Sequence, residues 1–198
     1  MFSFQTHYQL ENEVVQLSPL EAHHQERLLP VADDPAIWTY FLENGLGADN
    51  FETYFQNALQ QRAQGQEYPF AIFDRRQQRF AGMTRIYDVD NELGNLKIGH
   101  TWIGTDFQGT GLNRHCKYLL FEWVFEQLDF KRIGFGASAE NQRSIRAMKG
   151  VGCREEGRLR SFLPNTAGTV RTDIVLLSIL QEEWRSGVAS QLKKSLQF

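Results

Sequence analysis

The chain has 198 residues, of which 41% are hydrophobic and 13% aromatic, and its formal net charge is −3 with a pI of about 6.0. This balance predicts one folded domain over residues 1–198 and argues against disorder and against nucleic-acid binding, which needs a basic surface. No basic region followed by an apolar core opens the sequence, and no apolar run approaches the roughly 20 residues of a membrane span. Cys116 and Cys153 stand outside any ligand cluster, so we expect a soluble, cytoplasmic protein without structural metal.

The first part of the chain is predicted to be mainly helical. A short strand over 14–19 precedes polar, helix-like sequence over 21–44, which we expect to break near Pro30 and Pro35. Residues 50–65 then form an amphipathic helix. Its apolar stripe comprises Phe51, Tyr54, Phe55, Ala58 and Leu59.

The pattern then changes to that of strands. Strands are predicted over 68–74, 79–90 and 95–104. The mostly apolar segment 112–128 is too long for a typical strand and is predicted to be a buried helix. In the third strand, one face is predicted to consist of Leu96, Ile98, His100 and Trp102.

The last part of the chain alternates again. We predict a strand over 131–138, a short helix over 141–152, a hairpin over 153–180 that turns at the PNTAG segment 164–168, and a final helix over 181–198. Strands followed by strand–helix–strand crossovers predict a mixed α/β (α+β) sheet.

The segment GTDFQGTGLNRH, residues 104–115, combines glycines with a helix entrance. Of four Gly-x-Gly pairs in the chain, only Gly109/Gly111 stands between a strand and the first turn of a buried helix. The first N–H groups of a helix lack internal partners, and glycine lets the backbone approach an anion, so this turn suits a phosphate group. A simple tight turn is the alternative. The turn lacks the lysine of a P-loop, and Arg114 replaces the third glycine of a dinucleotide-binding fingerprint.

The spacing Gln108-x-x-Gly111-x-Asn113 resembles the coenzyme A loop of the GCN5-related N-acetyltransferases, the GNAT superfamily, whose pattern is Gln/Arg-x-x-Gly-x-Gly/Ala. The segments WIGTDFQGTGLN, AENQRSIRAMKGVGCREEGRLR and EEW are similar to the RimJ/RimL-type ribosomal-protein acetyltransferase branch, and the likeness extends over about residues 10–184. It implies a GNAT-like fold, in which a mostly antiparallel twisted sheet, flanked by helices, splits at a cofactor cleft. Asn113 departs from the pattern, although asparagine tolerates unusual backbone angles.

The resemblance also implies an activity. The protein would be an acetyl-CoA-dependent N-acetyltransferase in which a primary amine, either a protein N-terminus or a small molecule, attacks the thioester directly. Ser144 would lie beside the leaving thiolate. The residues implied in acetyl-CoA binding are Ile103, Gly104, Thr105, Gln108, Gly109, Thr110, Gly111, Leu112, Asn113 and Asn141. Asn141 and Ser144 also suit a helix cap and first turn.

The general base is not evident from the sequence. Lys97 stands where relatives often carry an acidic residue, and a charged lysine cannot accept a proton. His100 is a candidate base, or else a structural histidine of the strand. Tyr87 is a candidate for the acceptor cleft or for the core. Further candidate bases are Asp88, Glu92 and Asp173.

Some alternatives stay open. A catalytically silent coenzyme A-binding regulatory module is the second hypothesis, because the usual acidic residue is missing. His23 and His24 have no partner at ligand spacing, so no metal is expected there. Cys116 lies on an apolar helix stripe and is expected to be an inert buried thiol. The sequence gives no oligomeric state, and a homodimer is one option.

Overall fold

The computed structural model describes residues 1–165 and 168–196, in which a single eight-stranded sheet carries helices on both faces. The strands follow the spatial order β1-β2-β3-β4-β5-β6-β8-β7, and every neighbouring pair is antiparallel except β5 and β6. The predicted mixed sheet is therefore confirmed, with one short strand, β1, that was not predicted. The strands are β1 (Leu10–Glu11), β2 (Val15–Pro19), β3 (Glu67–Asp74), β4 (Arg79–Asp90), β5 (Asn95–Ile103), β6 (Arg132–Ser138), β7 (Arg154–Pro164) and β8 (Arg171–Leu180).

The helices agree with the predicted elements in number and place, with shorter bounds at several ends. The final segment is divided, because a π-helical turn at Trp184–Val188 separates two short helices. Residues 166–167 of the predicted hairpin turn and residues 197–198 of the predicted last helix lie outside the described residues. The helices are α1 (Gln25–Ala32), α2 (Pro35–Trp38), α3 (Ala48–Ala63), α4 (Leu112–Glu122), α5 (Gln142–Lys149), α6 (Gln181–Glu183) and α7 (Ala189–Ser195).

The predicted helix break at Pro30 is wrong. Pro30 lies inside α1, and the chain leaves the helix only at Asp33. Asp34 then caps α2 by accepting a hydrogen bond from the backbone N–H of Ala36 at 2.9 Å, and Pro35 occupies the first helical position, where no backbone donor is needed. The predicted break near Pro35 is confirmed, because the cap and the proline together begin a new helix there.

Two apolar clusters lie on opposite faces of the sheet. One packs α4 against the sheet, with Leu112, Cys116 and Leu120 fully buried. The other packs α1, α2 and α3 against the opposite face. The predicted stripe of α3 is confirmed, since Leu59 is partly buried and the rest is buried, namely Phe51, Tyr54, Phe55 and Ala58.

A β-bulge in β5 changes which side chains share a face. Thr84 of β4 stands opposite two residues of β5, and the first of these, His100, has a φ of +47°. The bulge reverses the alternation of the strand. As a result Ile103 joins Ile98 in the α4 cluster, whereas Trp102 joins the opposite cluster. The prediction that Trp102 shares a face with Ile98 is therefore wrong.

The sheet is split between β5 and β6. These parallel strands pair only through 95–97 and 132–134. Beyond that point Ile98–Ile103 and Phe135–Ser138 have no partner across the gap, which we call the cleft. The predicted split in the sheet is confirmed, and the connection from β5 to α4 runs past its open end.

Candidate active site

The segment 104–113, which we call the glycine turn, connects the end of β5 to α4. Gly109 has a φ of +76° and Gly111 a φ of +86°, both in the left-handed region. A Cβ at either position would meet nothing within 4 Å. Glycine is therefore favoured at both positions by the backbone conformation and not by contacts with neighbouring atoms. The space beside the two residues is open.

The glycine turn presents free backbone donors at the N-terminus of α4. Within residues 1–165 and 168–196, the N–H groups of Gly109, Thr110 and Gly111 form no hydrogen bond. The first two residues are exposed and the third is half-buried. The helix dipole adds partial positive charge at the same place, so the turn can bind an anion.

Side chains hold the glycine turn in position. Gln108 donates from Nε2 to the carbonyl of Ile103 at 2.9 Å and accepts a hydrogen bond from Nη1 of Arg143, at the start of α5. Thr105 donates to Asp34 at 2.9 Å. Arg143 was not predicted, and its cation lies beside the turn. Gln108 therefore braces the loop and connects the two sides of the cleft.

Three predicted cofactor residues are enclosed by the protein. The side chains of Ile103 and Leu112 are buried, and a Cβ on Gly104 would lie 2.5 Å from a methyl group of Val31. Only their backbones can face a ligand. Asn113 is half-buried, and within the described part of the chain its buried Oδ1 has no hydrogen-bond partner.

Asn141 and Ser144 lie at the other side of the cleft, just after β6. The Oδ1 atom of Asn141 accepts a hydrogen bond from the backbone N–H of Ser144 at 3.0 Å, which confirms the predicted cap of α5. Both residues are half-buried. The Ser144 hydroxyl donates to no other group in the part of the chain that the structure describes, so it is free to meet a ligand. Their roles toward a cofactor stay predictions.

His100 lies beside a buried ion pair. Its Nε2 is 3.8 Å from Oε1 of Glu67, whose other oxygen accepts a hydrogen bond from Nη1 of Arg85 at 2.7 Å. The His100 side chain is 36% exposed and Arg85 only 1%. Desolvation and the Arg85 charge lower the pKa of His100, and Glu67 opposes them. The imidazole is therefore neutral at pH 7, and the same shift makes it a weaker base than a free histidine.

Arg85 is surrounded by polar atoms without hydrogen bonds. Its guanidinium lies over the ring of Tyr54 at 4.5 Å, and its Nη2 is 3.9 Å from Oε2 of Glu43. Desolvation opposes its charge, but Tyr54, Glu67 and Glu43 together raise the pKa of Arg85, so it stays a cation. Among the described residues, the buried atoms that lack a partner here are Glu43 Oε2, Tyr54 OH, Arg85 Nε and Nη2, and Trp102 Nε1.

The other candidate bases are occupied or exposed. Asp88 forms an exposed ion pair with Lys97 at 2.8 Å. Asp173 accepts hydrogen bonds from the N–H of Ser161 and from Arg158, both at 2.7 Å, and these lower the pKa of Asp173. Glu92 lies exposed in the turn after β4. His100, by contrast, lies in the part of β5 that has no partner in β6.

Tyr87 belongs to a cavity on the side of His100 away from the glycine turn. Its ring centroid is 5.6 Å from that of His100 in an edge-on arrangement. Burial raises the pKa of Tyr87 to about 12. The cavity has a volume of about 380 Å³. Its lining includes Tyr87, Glu67, Asp88, Gln61 and Gln66.

The remaining sequence candidates lie elsewhere. His24 is 4% exposed, and its Nδ1 accepts a hydrogen bond from the N–H of Glu21 at 3.0 Å, which explains its place in the fold. Burial lowers the pKa of His24 to about 4. Cys116 is buried, as predicted, and burial raises the pKa of its thiol to about 12. No three His, Cys, Asp or Glu side chains of the described residues converge as metal ligands would.

Known proteins are similar to this chain in sequence and in architecture. Residues 15–154 match the family described as the acetyltransferase (GNAT) domain. A Bacillus subtilis (strain 168) protein named "Putative ribosomal N-acetyltransferase YdaF" is 28% identical over 180 residues, 87% of this chain and 94% of the relative. A GCN5-related N-acetyltransferase from Brucella melitensis superposes with a TM-score of 0.88 at 23% identity, over 98% of this chain and 87% of that one. A spermidine N-acetyltransferase from Vibrio cholerae, in complex with CoA and spermine, superposes with a TM-score of 0.71 at 19% identity, over 88% and 99% of the two chains.

No helix among residues 1–165 and 168–196 combines the length and the apolar character that crossing a membrane requires.

Proposed function

The chain belongs to the GNAT acetyltransferase family. We propose that it transfers the acetyl group of acetyl-coenzyme A to a primary amine. We also propose that residues 1–198 form one catalytic domain. The observation that carries this proposal is the combination of a cleft between β5 and β6 with free backbone donors at its open end. The family assignment supports N-acetyl transfer, and the geometry supports a long anionic cofactor as the donor.

The residues present fit acetyl-coenzyme A. The N–H groups of 109–111 suit a pyrophosphate, and the Arg143 guanidinium brings a positive charge to the same end. The unpaired edge of β5 offers backbone groups to the amides of the pantetheine arm. Asn141 stands at the opposite wall, and Oδ1 of Asn113 lacks a donor. Bound acetyl-coenzyme A supplies the activated thioester.

His100 is the proposed proton acceptor, and Glu67 is proposed to support it. An amine attacks only in its neutral form, and His100 is uncharged at pH 7 because burial and Arg85 lower its pKa. Glu67 lies 3.8 Å behind it and stabilises the imidazolium that forms. Ser144 is proposed to donate its free hydroxyl to the sulfur as the carbon–sulfur bond breaks.

The cavity beside Tyr87 is the proposed entrance for the acceptor. Its carboxylates, from Glu67 and Asp88, already pair with Arg85 and Lys97, but each carboxylate keeps further acceptor positions for an amine that arrives as an ammonium ion. Two acceptor classes have this chemistry. One is a protein N-terminus, in keeping with the word "ribosomal" in the name of the Bacillus subtilis relative, and the other is a polyamine, in keeping with the spermine in the Vibrio cholerae complex.

The test is release of free thiol from acetyl-coenzyme A in the presence of single amines. The panel contains peptides with free N-termini, the same peptides with blocked N-termini, spermidine, free amino acids and an aminoglycoside. We expect release with at least one unblocked amine and none with the blocked peptides. Coenzyme A binding by calorimetry without release for any amine would favour the silent regulatory module instead.

A further inference from the structure

Lys117, on the second turn of α4, is a buried cation without a counterion. The side chain is 5% exposed, and its Nζ donates one hydrogen bond, to Oγ1 of Thr101 at 3.0 Å. No carboxylate of residues 1–165 or 168–196 lies within 4.0 Å of this nitrogen. An ammonium group has three donors, so two remain to be satisfied.

The surroundings of Lys117 do not stabilise its charge. Burial lowers the pKa of Lys117 to about 8. The titratable groups that face it are two thiols, Cys116 on the same helix and Cys153 after α5. Burial raises the pKa of each thiol to about 12, so both stay neutral near pH 8. Thr101 and Phe135 complete the surroundings without adding charge. A buried, uncompensated charge is costly, and an anion that reached this place would reduce that cost.

Lys117 lies directly beneath the cleft. Thr101 belongs to the bulge of β5, within the part that has no partner in β6. Phe135 is the first residue of β6 beyond the pairing, and its ring centroid is 6.0 Å from Nζ. The ammonium therefore spans the two diverging strands on the α4 side. The N–H groups of the glycine turn hold the other end of the cleft, so Lys117 is placed to meet the part of a cofactor farthest from its phosphates.

We propose that the Lys117 ammonium stabilises the thiolate of coenzyme A in the cleft. The inference rests on the proposed function. In that reaction the amine nitrogen forms a bond to the acyl carbon, the carbon–sulfur bond breaks with its electron pair going to sulfur, and the amine proton passes to His100. Lys117 donates a hydrogen bond to the sulfur that becomes negative, and Ser144 donates from the α5 side of the cleft. No side chain of the protein is consumed in the reaction.

The experiment measures the ionisation of coenzyme A while it is bound. The far-ultraviolet absorbance of the thiolate is recorded from pH 6 to pH 10 for coenzyme A with the wild-type protein and with a Lys117→Met variant, which keeps the length of the side chain and removes its charge. We expect the thiolate fraction at pH 7 to be at least about tenfold higher on the wild type than on Lys117→Met. The thiols of Cys116 and Cys153 do not interfere, because they stay protonated.

Two controls keep the result specific. Lys194→Met, at an exposed position of α7, should behave as the wild type. Desulfo-coenzyme A, which lacks the sulfur, should bind equally to the wild type and Lys117→Met by calorimetry. Thermal unfolding of Lys117→Met should occur at the wild-type temperature or above, since an unpaired buried charge has been removed.

The outcomes separate this inference from the proposed function. Equal thiolate fractions on wild type and Lys117→Met, with coenzyme A bound to both, would overturn the role of Lys117 alone. A loss of desulfo-coenzyme A affinity in Lys117→Met would also overturn it, because the lysine would then support the cleft and not the sulfur. Absence of coenzyme A binding by the wild type would overturn the proposed function and this inference together.

Discussion

Substituting Gly111 with valine tests whether the glycine turn binds the cofactor. Gly111 has φ +86° and ψ −12° and caps α4. An L-residue in the left-handed region costs roughly 1–2 kcal/mol, and a β-branched residue is at the upper end of that range. The valine side chain meets no atom within 4 Å of its Cβ, so the penalty is conformational and does not come from a clash inside the protein.

The strain is expected to appear as a loss of affinity. The free variant can relieve it by rotating residue 111 out of the left-handed region, which turns the N–H groups of the glycine turn away from the ligand. Binding must then restore the original conformation. A cost of about 1.4 kcal/mol corresponds to a tenfold change, so Gly111→Val should bind coenzyme A about 10- to 30-fold more weakly.

Isothermal titration with coenzyme A measures the effect, and Gly111→Asn is the matched control. Asparagine adopts the left-handed conformation more readily than any β-branched residue, and its Cβ has the same open space, so its affinity should stay within about threefold of the wild type. Circular dichroism establishes that each variant is folded. Wild-type affinity in a folded Gly111→Val protein would refute the assignment of this turn to the cofactor.

Three further predictions concern catalysis, packing and pH. Ser144→Ala should lower kcat by roughly 10- to 1000-fold with little change in coenzyme A affinity. Asn141→Ala should instead weaken that affinity, and the lost cap should cost about 1 kcal/mol of stability. A wild-type kcat in Ser144→Ala, measured where chemistry limits the rate, would exclude Ser144 from the mechanism. Arg85→Met should destabilise the fold by about 1–3 kcal/mol in urea unfolding, because it leaves the half-buried Glu67 carboxylate without its charged hydrogen-bond partner, and an added Glu67→Gln should recover part of the loss. Burial lowers the pKa of His24 to about 4, so on acidification the unfolded state takes up the proton at a higher pH than the folded state. The free energy of unfolding should therefore fall by up to about 3 kcal/mol as the pH drops from about 6.5 towards 4. The same dependence of this free energy on pH in His24→Gln would contradict the prediction.

Periodicity and turn chemistry predicted most of the elements, and failed where one residue interrupts a pattern. The alternation along β5 predicted the strand but not its bulge, although Gly99 stands directly before His100 and an isolated glycine within a strand pattern can mark a bulge. Every residue after His100 therefore lay on the unexpected face. Pro30 predicted a helix break that does not occur, because α1 continues through it to Ala32. The chain breaks instead just before Asp34 and Pro35, which begin the next helix.

The local patterns of the proposed cofactor side were easier to predict than those of the proposed acceptor side. The glycine turn and the cap at Asn141 are local patterns, each contained in a few consecutive residues. Glu67 and Arg85 meet only through the pairing of β3 with β4, so no local pattern connects them. Lys117 did leave a signal, because it is a charged residue beside Cys116 in a helix predicted to be mostly buried. Its depth became evident only from the position of α4 on the split sheet.

The split gives this sheet four free edges, where an open sheet has two. Unpaired strand edges invite pairing with other chains. The outer edges are protected in familiar ways, because β1 has only two residues and β7 is mostly exposed and rich in charge. The charged residues along the first part of β7 are Arg154, Glu155, Glu156, Arg158 and Arg160.

The two inner edges are protected by facing each other. They are held together at one end by the three residue pairs of 95–97 with 132–134, and α4 covers one side of the gap. A foreign strand needs about 4.8 Å on each side to pair, and it would have to enter end-on between two strands of the same protein. Ten residues lie on these unpaired inner edges, six in β5 and four in β6. Because the two edges face each other, they are hindered from pairing with another chain, although no further segment pairs with them. The junction that joins β5 to β6 therefore keeps the two inner edges facing each other, since its loss would turn both of them outward.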